Sequence, residues 1–229
     1  MTKMAIIVPT RGRPKQALEL YESYMDTISD QRNAVLIFCV DEDDPERHAY
    51  EAMHSELKIR VMPPSGMMVG SLNSAAASFA AGFPILGFLG DDHRLRSKGW
   101  DRAVIQLMNG AGFAYGNDLL QGERLPTHIW VRSSIVKALG WMGLPTCKHL
   151  FIDNVWKDLG WYSQSLAYMP EIIVEHLHPL AGKADWDEGY KRVNADDIAQ
   201  HDRDAYVHWR EESMEFDVEV VKAAMRADG

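Results

Sequence analysis

Along the first ninety residues, short apolar runs alternate with longer segments whose apolar positions recur at helical spacing. "MAIIV", Met4 to Val8, is an unbroken apolar run closed by Pro9, and predicts a strand buried on both faces. Ala34–Val40 ("AVLIFCV"), Lys58–Met62 and Ile85–Leu89 predict three more strands. Between them, Pro14–Ile28 carries Ala17, Leu18, Tyr21, Tyr24, Met25 and Ile28 on one helical face, with Pro14 suited to a first turn. Pro45–Leu57 and the Ala- and Ser-rich Val69–Ala81 predict two further helices. This alternation predicts an α/β chain: a parallel sheet with helices on both faces and right-handed crossovers.

The second half is less regular. Trp100–Met108 predicts a helix, Gly112–Tyr115 and His128–Val131 short strands, and Ser133–Leu139 a helix capped by Ser133. Asp153–Leu159 predicts a helix stopped by Gly160, and Glu171–His178 a strand. From about Asp185 the chain turns polar, and Asp196–Ala227 predicts one or two surface helices. The expected division is a main domain over 1–184 and a C-terminal helical arm over 185–229 packed on it.

Ligands of such sheets sit beyond the carboxyl ends of the strands. Four loops meet there: "PTRGR", "DEDDP", "PPSG" and "GDDHR". The fourth strand ends on Asp91, Asp92 and His93, groups costly to desolvate unless something positive meets them. Carboxylates at that place suit Mg²⁺ or Mn²⁺ shared with substrate phosphates. His176 and His178 lie two apart and share a strand face, so either can complete the coordination from the far half of the chain. Arg11 and Arg13 flank Gly12, and their guanidinium forks, with backbone N–H groups, suit a diphosphate. The loop is neither a Walker loop nor Gly-x-Gly-x-x-Gly, which counts against a dinucleotide cofactor. Asp41 can accept from a base or a ribose, while Glu42, Asp43 and Asp44 read as a solvated acidic turn. Asp153 opens a helix; it reads either as an N-cap or as a general base kept ionised by the helix dipole.

The net charge of −9 fits poorly with sequence-independent binding of duplex DNA, although Arg94, Arg96 and Lys98 form a small basic cluster beside the loops. Cys39 reads as a buried thiol, and with Cys147 the second of only two cysteines no disulfide framework is implied. The N-terminal apolar run is too short for a signal peptide or a membrane span, so a cytoplasmic protein is expected.

In order and spacing these segments resemble the GT-A-fold glycosyltransferases of the large inverting group. "MAIIVPTRGRP" resembles their opening strand and loop, "FCVDED" the second strand, and "PPSGMMVGSLNSAAASF" the glycine-then-asparagine helix. "ILGFLGDD" resembles the Asp-x-Asp strand and "IDNVWKDLGW" the acid-before-helix segment. The match covers about residues 4 to 178, and "EHLHPLAGKADWDEGY" resembles small phage-encoded transferases.

The resemblance implies a Rossmann-like nucleotide half, a mixed central sheet and a C-terminal helical extension. It implies transfer of a sugar from a nucleotide sugar, UDP-linked, to an acceptor hydroxyl with inversion. Pro9, Thr10, Arg11, Arg13, Asp41, Gly66, Asn73, Asp91 and Lys183 would bind the donor, Lys183 from a lid. Asp92 with His176 or His178 would hold Mn²⁺ or Mg²⁺, and Asp153 would be the base. Trp100, Trp161 and Trp186 read first as core or rim residues, with stacking on a sugar the alternative. A virion protein, a modified DNA base and a glycan are the acceptors it leaves open, in the host cytoplasm if the chain is phage-encoded; homodimerisation through the C-terminal helices is open too. The alternatives are a nucleotidyltransferase acting on a sugar phosphate and a non-catalytic nucleotide-sugar-binding module. Two positions depart from the pattern: Gly90 stands where the first Asp of Asp-x-Asp is expected, with Asp91 the candidate substitute, and Ile152 precedes Asp153 where a Glu is common.

Overall fold

A computed structural model describes residues 3–53, 57–64, 67–186 and 195–228. The elements of the first half are β1 (Met4–Thr10), α1 (Pro14–Thr27), β2 (Ala34–Asp41), α2 (Arg47–Ala52), β3 (Ile59–Met62), α3 (Met68–Phe79), β4 (Ile85–Phe88), β5 (His93–Leu95) and α4 (Trp100–Leu107). The second half adds β6 (Phe113–Asn117), β7 (Ile129–Arg132), α5 (Ser133–Leu139), α6 (Ile152–Tyr162), β8 (Leu166–His176), α7 (Asp196–Glu212) and α8 (Met214–Asp228). The strands form one eight-stranded sheet in the order β3-β2-β1-β4-β7-β6-β8-β5.

The first four strands are parallel neighbours, as the alternation predicts. Beyond β4 the sheet becomes mixed: β7 runs antiparallel to β4 and to β6, β8 parallel to β6, and β5 antiparallel to β8. The parallel pattern read from the first ninety residues holds for that half, and the sheet as a whole is mixed, as the resemblance implies.

Alternation along β1 explains why the run is continuously apolar. Met4, Ile6 and Val8 enter a core layer with Leu20 and Tyr24 of α1 and Trp100 and Val104 of α4. Ala5 and Ile7 enter the opposite layer, with Leu72 and Ala76 of α3, Val155 and Leu159 of α6, and Trp209 and Val221 of the C-terminal helices. Pro9 is tolerated because β4 pairs only with Met4–Ile7, so no ladder bond on that side is lost. Helices α1 to α7 have no side-chain N-cap hydrogen bond. Each fully buried Leu, Ile or Phe contributes about 1.5–3 kcal/mol relative to exposure, so packing rather than capping holds the helices in place.

Three expectations are corrected here. Ser133 does not cap α5; its hydroxyl donates to the Phe83 carbonyl. Gly160 does not stop α6, which runs on to Tyr162; a Cβ at Gly160 would lie 2.8 Å from Leu166 Cβ, so the glycine serves the close approach of β8. The helix expected over Pro45–Leu57 is confined to Arg47–Ala52 among the described residues. Both cysteines are buried free thiols. No helix among the described residues is long and apolar enough to cross a membrane.

Candidate functional site

A cavity of about 390 Å³ opens beyond the carboxyl ends of β1, β2 and β4. Pro9 and Thr10 line it from the end of β1, Arg11 and Arg13 from the loop that follows, Asp41 from the end of β2, Gly90 to Asp92 from the loop after β4, and His93 from the start of β5. The second half of the chain closes the other side, with Leu120, Gln121, Leu125 and Thr127 from the β6–β7 connection, His149 to Asp153 and Trp156 around the start of α6, and His176 and His178 from the end of β8. Asp92 and Arg11 thus face one space.

The pairing of β5 with β8 builds the cluster at its base. His93 lies opposite His176 in the register, and the Leu177 N–H donates to the Asp92 carbonyl at 2.9 Å. His176 Nε2 lies 3.3 Å from Asp92 Oδ2, and His93 Nδ1 3.4 Å from Asp92 Oδ1. The two imidazoles stack, with centroids 4.4 Å apart and planes 15° from parallel. One ligand atom from each of Asp92, His93 and His176 falls within 4.8 Å of the others. Burial raises the Asp92 carboxyl, but the hydrogen bond from His176 and the close approach of His93 outweigh it and hold the group well below the usual carboxylate range. His93 is lowered by burial and by its neighbour His176; at His176 burial lowers, but the hydrogen bond it donates to Asp92 overcomes this and raises it. The sequence offers His93 beside Asp91 and Asp92 at the strand end, and His176 or His178 to complete the coordination. The structure groups Asp92, His93 and His176, with the His178 ring edge-on to that of His176, centroids 5.1 Å apart.

The departure at Gly90 has a steric reason. A Cβ there would lie 2.5 Å from Asp92 Oδ1 and 3.1 Å from His93 Nδ1, and the Gly90 N–H donates to His93 Nδ1 at 3.0 Å. An aspartate at position 90 would push the Asp92 carboxylate aside. Gly90→Ala is expected to cost the cluster about 1–3 kcal/mol, roughly five- to 150-fold in divalent-cation affinity, as read by a Mn²⁺ titration.

Asp91 is held differently. Thr10 Oγ1 donates to its Oδ2 at 2.7 Å, and Arg13 Nη1 lies 3.3 Å from its Oδ1. Burial and then the charge of Asp92 push its carboxyl up to about 6. Arg11 pairs with Asp43 and lies 3.6 Å from Asp41. Asp41 accepts from Ser71 Oγ at 2.8 Å, and burial raises its carboxyl. Two backbone donors of the β1–α1 loop, expected to suit a diphosphate, are already used within the protein. Gly12, left-handed at φ 68°, donates to Asp44, and the Arg13 N–H donates to Tyr50 Oη at 2.7 Å. Asp44 is accordingly buried rather than a member of a solvated turn.

Asp153 sits in the first turn of α6, where Phe151 rather than Asp153 is the N-cap. Burial pushes its carboxyl up to about 6, against hydrogen bonds from the Asn154 N–H and its own N–H and the charge of His176, so burial outweighs the helix dipole expected to keep it strongly ionised.

Other expected residues lie elsewhere. Asn73 is not in the cavity lining; its carboxamide donates to the Gly143 carbonyl and accepts from the Met142 and Gly143 N–H groups. Lys183 pairs with Glu175 at 2.8 Å, outside the lining. Gly66 lies outside the described residues. Trp100 is core, Trp161 is 68% exposed on the outer end of α6, and Trp186 packs edge-on to His178. Trp156, which lines the cavity, was read only as part of a helix. The basic cluster is largely neutralised: Arg94 is 5% exposed and bound to Glu19, and Arg96 pairs with Glu175.

No protein-family model matches the sequence, and no curated protein matches it. Solved structures do. TarS of S. aureus superposes with a TM-score of 0.60 at 14% identity, over 87% of this chain and 43% of that one. The mannosyltransferase PcManGT of Pyrobaculum calidifontis, solved with GDP-Man and Mn²⁺, superposes with a TM-score of 0.59 at 11% identity, over 98% and 74%. Glucosyl-3-phosphoglycerate synthase of Mycobacterium tuberculosis, solved with Mn²⁺, UDP and phosphoglyceric acid, gives 0.55 at 12% identity, over 90% and 78%. The chain thus spans under half of the full TarS chain it matches. With a mixed sheet whose parallel half carries acids at the end of its fourth strand, and with these neighbours, the chain has the GT-A fold of glycosyltransferases.

Proposed function

We propose that the chain is a cation-dependent glycosyltransferase that uses a nucleotide diphosphate sugar, UDP-linked, and inverts the anomeric centre. The observation that carries this reading is the convergence of Asp92, His93, His176, Arg11, Arg13 and Asp153 on one cavity. TarS, PcManGT and the glucosyl-3-phosphoglycerate synthase, solved with UDP, UDP-GlcNAc or GDP-Man, support the donor class.

The cluster fits a divalent cation. His93 Nε2 and His176 Nδ1 are buried with no hydrogen-bond partner among the described residues, and the ligand atoms of the three side chains are close enough to share one ion. Two imidazoles and one carboxylate favour Mn²⁺ over Mg²⁺, which prefers oxygen and retains water. When bound, the cation neutralises charge developing on the leaving diphosphate. Arg11 and Arg13, already held by Asp43 and Asp91, supply fixed positive charge at the same edge. Asp41, steadied by Ser71, is placed to accept from the base or ribose. Asp153 takes the proton of the acceptor hydroxyl from the opposite wall, which directs attack to the face away from the diphosphate.

The test is UDP release from a panel of UDP-sugars with Mn²⁺ present and absent. Cation-dependent release supports the proposal. Consumption of a nucleoside triphosphate with pyrophosphate release would identify a nucleotidyltransferase instead, and binding without turnover a non-catalytic module.

A further inference from the structure

The cavity wall around Asp153 is not held by its own segment. Residues 148, 149 and 150 present three successive backbone N–H groups to a single carboxylate, that of Asp202 on α7. Lys148 donates to Oδ1 at 2.8 Å, and His149 and Leu150 to Oδ2 at 2.8 and 2.7 Å. Asp202 is fully buried, and His201 Nδ1 lies 2.9 Å from Oδ1. The Lys148 carbonyl accepts from the Val69 N–H in the first turn of α3. Phe151 follows in the left-handed region at φ 65°, a costly conformation for a bulky residue that something must hold. Its ring stacks on Tyr206 of α7 at 5.6 Å, with the Arg203 guanidinium 5.8 Å from the ring centre. The Phe151 carbonyl then accepts the first bond of α6, from Val155, at 3.1 Å.

We propose that Asp202 is a positioning residue: it fixes residues 148–150 and the strained Phe151, and so sets where Asp153 enters the cavity. The C-terminal hairpin is then part of the machinery for transfer rather than an accessory. His149, Leu150 and Phe151 line the cavity, whereas the residues proposed for the nucleotide come from loops after β1, β2 and β4 that Asp202 does not touch. The kinetic part of the inference rests on the transferase reading.

Asp202→Asn tests it, because the carboxamide can present only one acceptor oxygen and would turn an NH₂ toward a backbone N–H. Asp202→Glu, which restores the carboxylate on a longer stem, is the companion. Amide exchange at Lys148, His149 and Leu150 is expected to be at least about tenfold faster in Asp202→Asn, with the β1–β4 amides unchanged. UDP affinity with Mn²⁺ should stay within about twofold, while kcat for UDP-sugar turnover falls at least about tenfold with KM little changed, and Asp202→Glu should recover part of it. Unchanged protection at 148–150, unchanged kcat, or acceleration of exchange throughout the chain together with loss of UDP binding would each overturn the inference. A wild-type chain that neither binds nor consumes a nucleotide sugar overturns the transferase reading instead, and the exchange measurement then decides the tether alone.

Discussion

Asp153→Asn is expected to lower the rate of sugar transfer by about 10²–10⁴-fold while leaving nucleotide affinity unchanged, since it removes a base without touching the loops after β1, β2 and β4. The substitution keeps the shape of the side chain, and its carbonyl can still accept from the Asn154 N–H. The same variant should melt at a higher temperature at neutral pH. Burial raises the Asp153 carboxyl in the folded chain to about 6, above its unfolded value, so the folded state binds the proton more tightly and the ionised group opposes folding. That opposition is complete above pH about 6 and vanishes below about 4, so the stabilisation by Asn should follow the same window. For activity the sign is reversed, because a base acts in its ionised form. Wild-type kcat/KM should rise through pH about 6 to a plateau, and Asp153→Asn should lose that limb. Rate profiles and thermal melts across pH 4 to 8 check both.

Asp92→Asn is expected to abolish cation-dependent activity and to weaken Mn²⁺ binding by more than about a hundredfold. Changes to mere supports of metal ligands already cost about ten- to a hundredfold, and Asp92 is the anionic member of the cluster and the partner of both His93 and His176. Titration of Mn²⁺ by its electron spin resonance signal reads this without reference to turnover. UDP should then bind the variant equally well with or without Mn²⁺, through Arg11, Arg13 and Asp41.

The parallel half of the fold was legible because β1, β2 and β4 are buried on both faces, which writes them as unbroken apolar runs ended by polar loops. The same punctuation placed Arg11, Arg13, Asp41, Asp91 and Asp92 at one edge. The rest depended on contacts between residues far apart in sequence. β5 is three residues long, too short to show a period, yet its register with β8 is what seats His93 and Asp92 beside His176. Gly160 reads as a helix stop until Leu166 is seen to need its space. Asn73 and Arg94 carry polar groups that look available in sequence and are taken by the Gly143 backbone and Glu19 in the fold. Asp202 lies in a stretch with an ordinary charged helical pattern, and only the three amides it meets distinguish it.

In the proposed function, Asp92 with its histidines and the arginines of the first loop together hold a cation and a diphosphate. Calorimetric titration of UDP into the wild-type protein, once with Mn²⁺ and once with chelator, tests this most directly. Saturable one-to-one binding is expected, at least about tenfold tighter with Mn²⁺, a difference of about 1.4 kcal/mol. Absence of binding under both conditions, or binding indifferent to Mn²⁺, would contradict it.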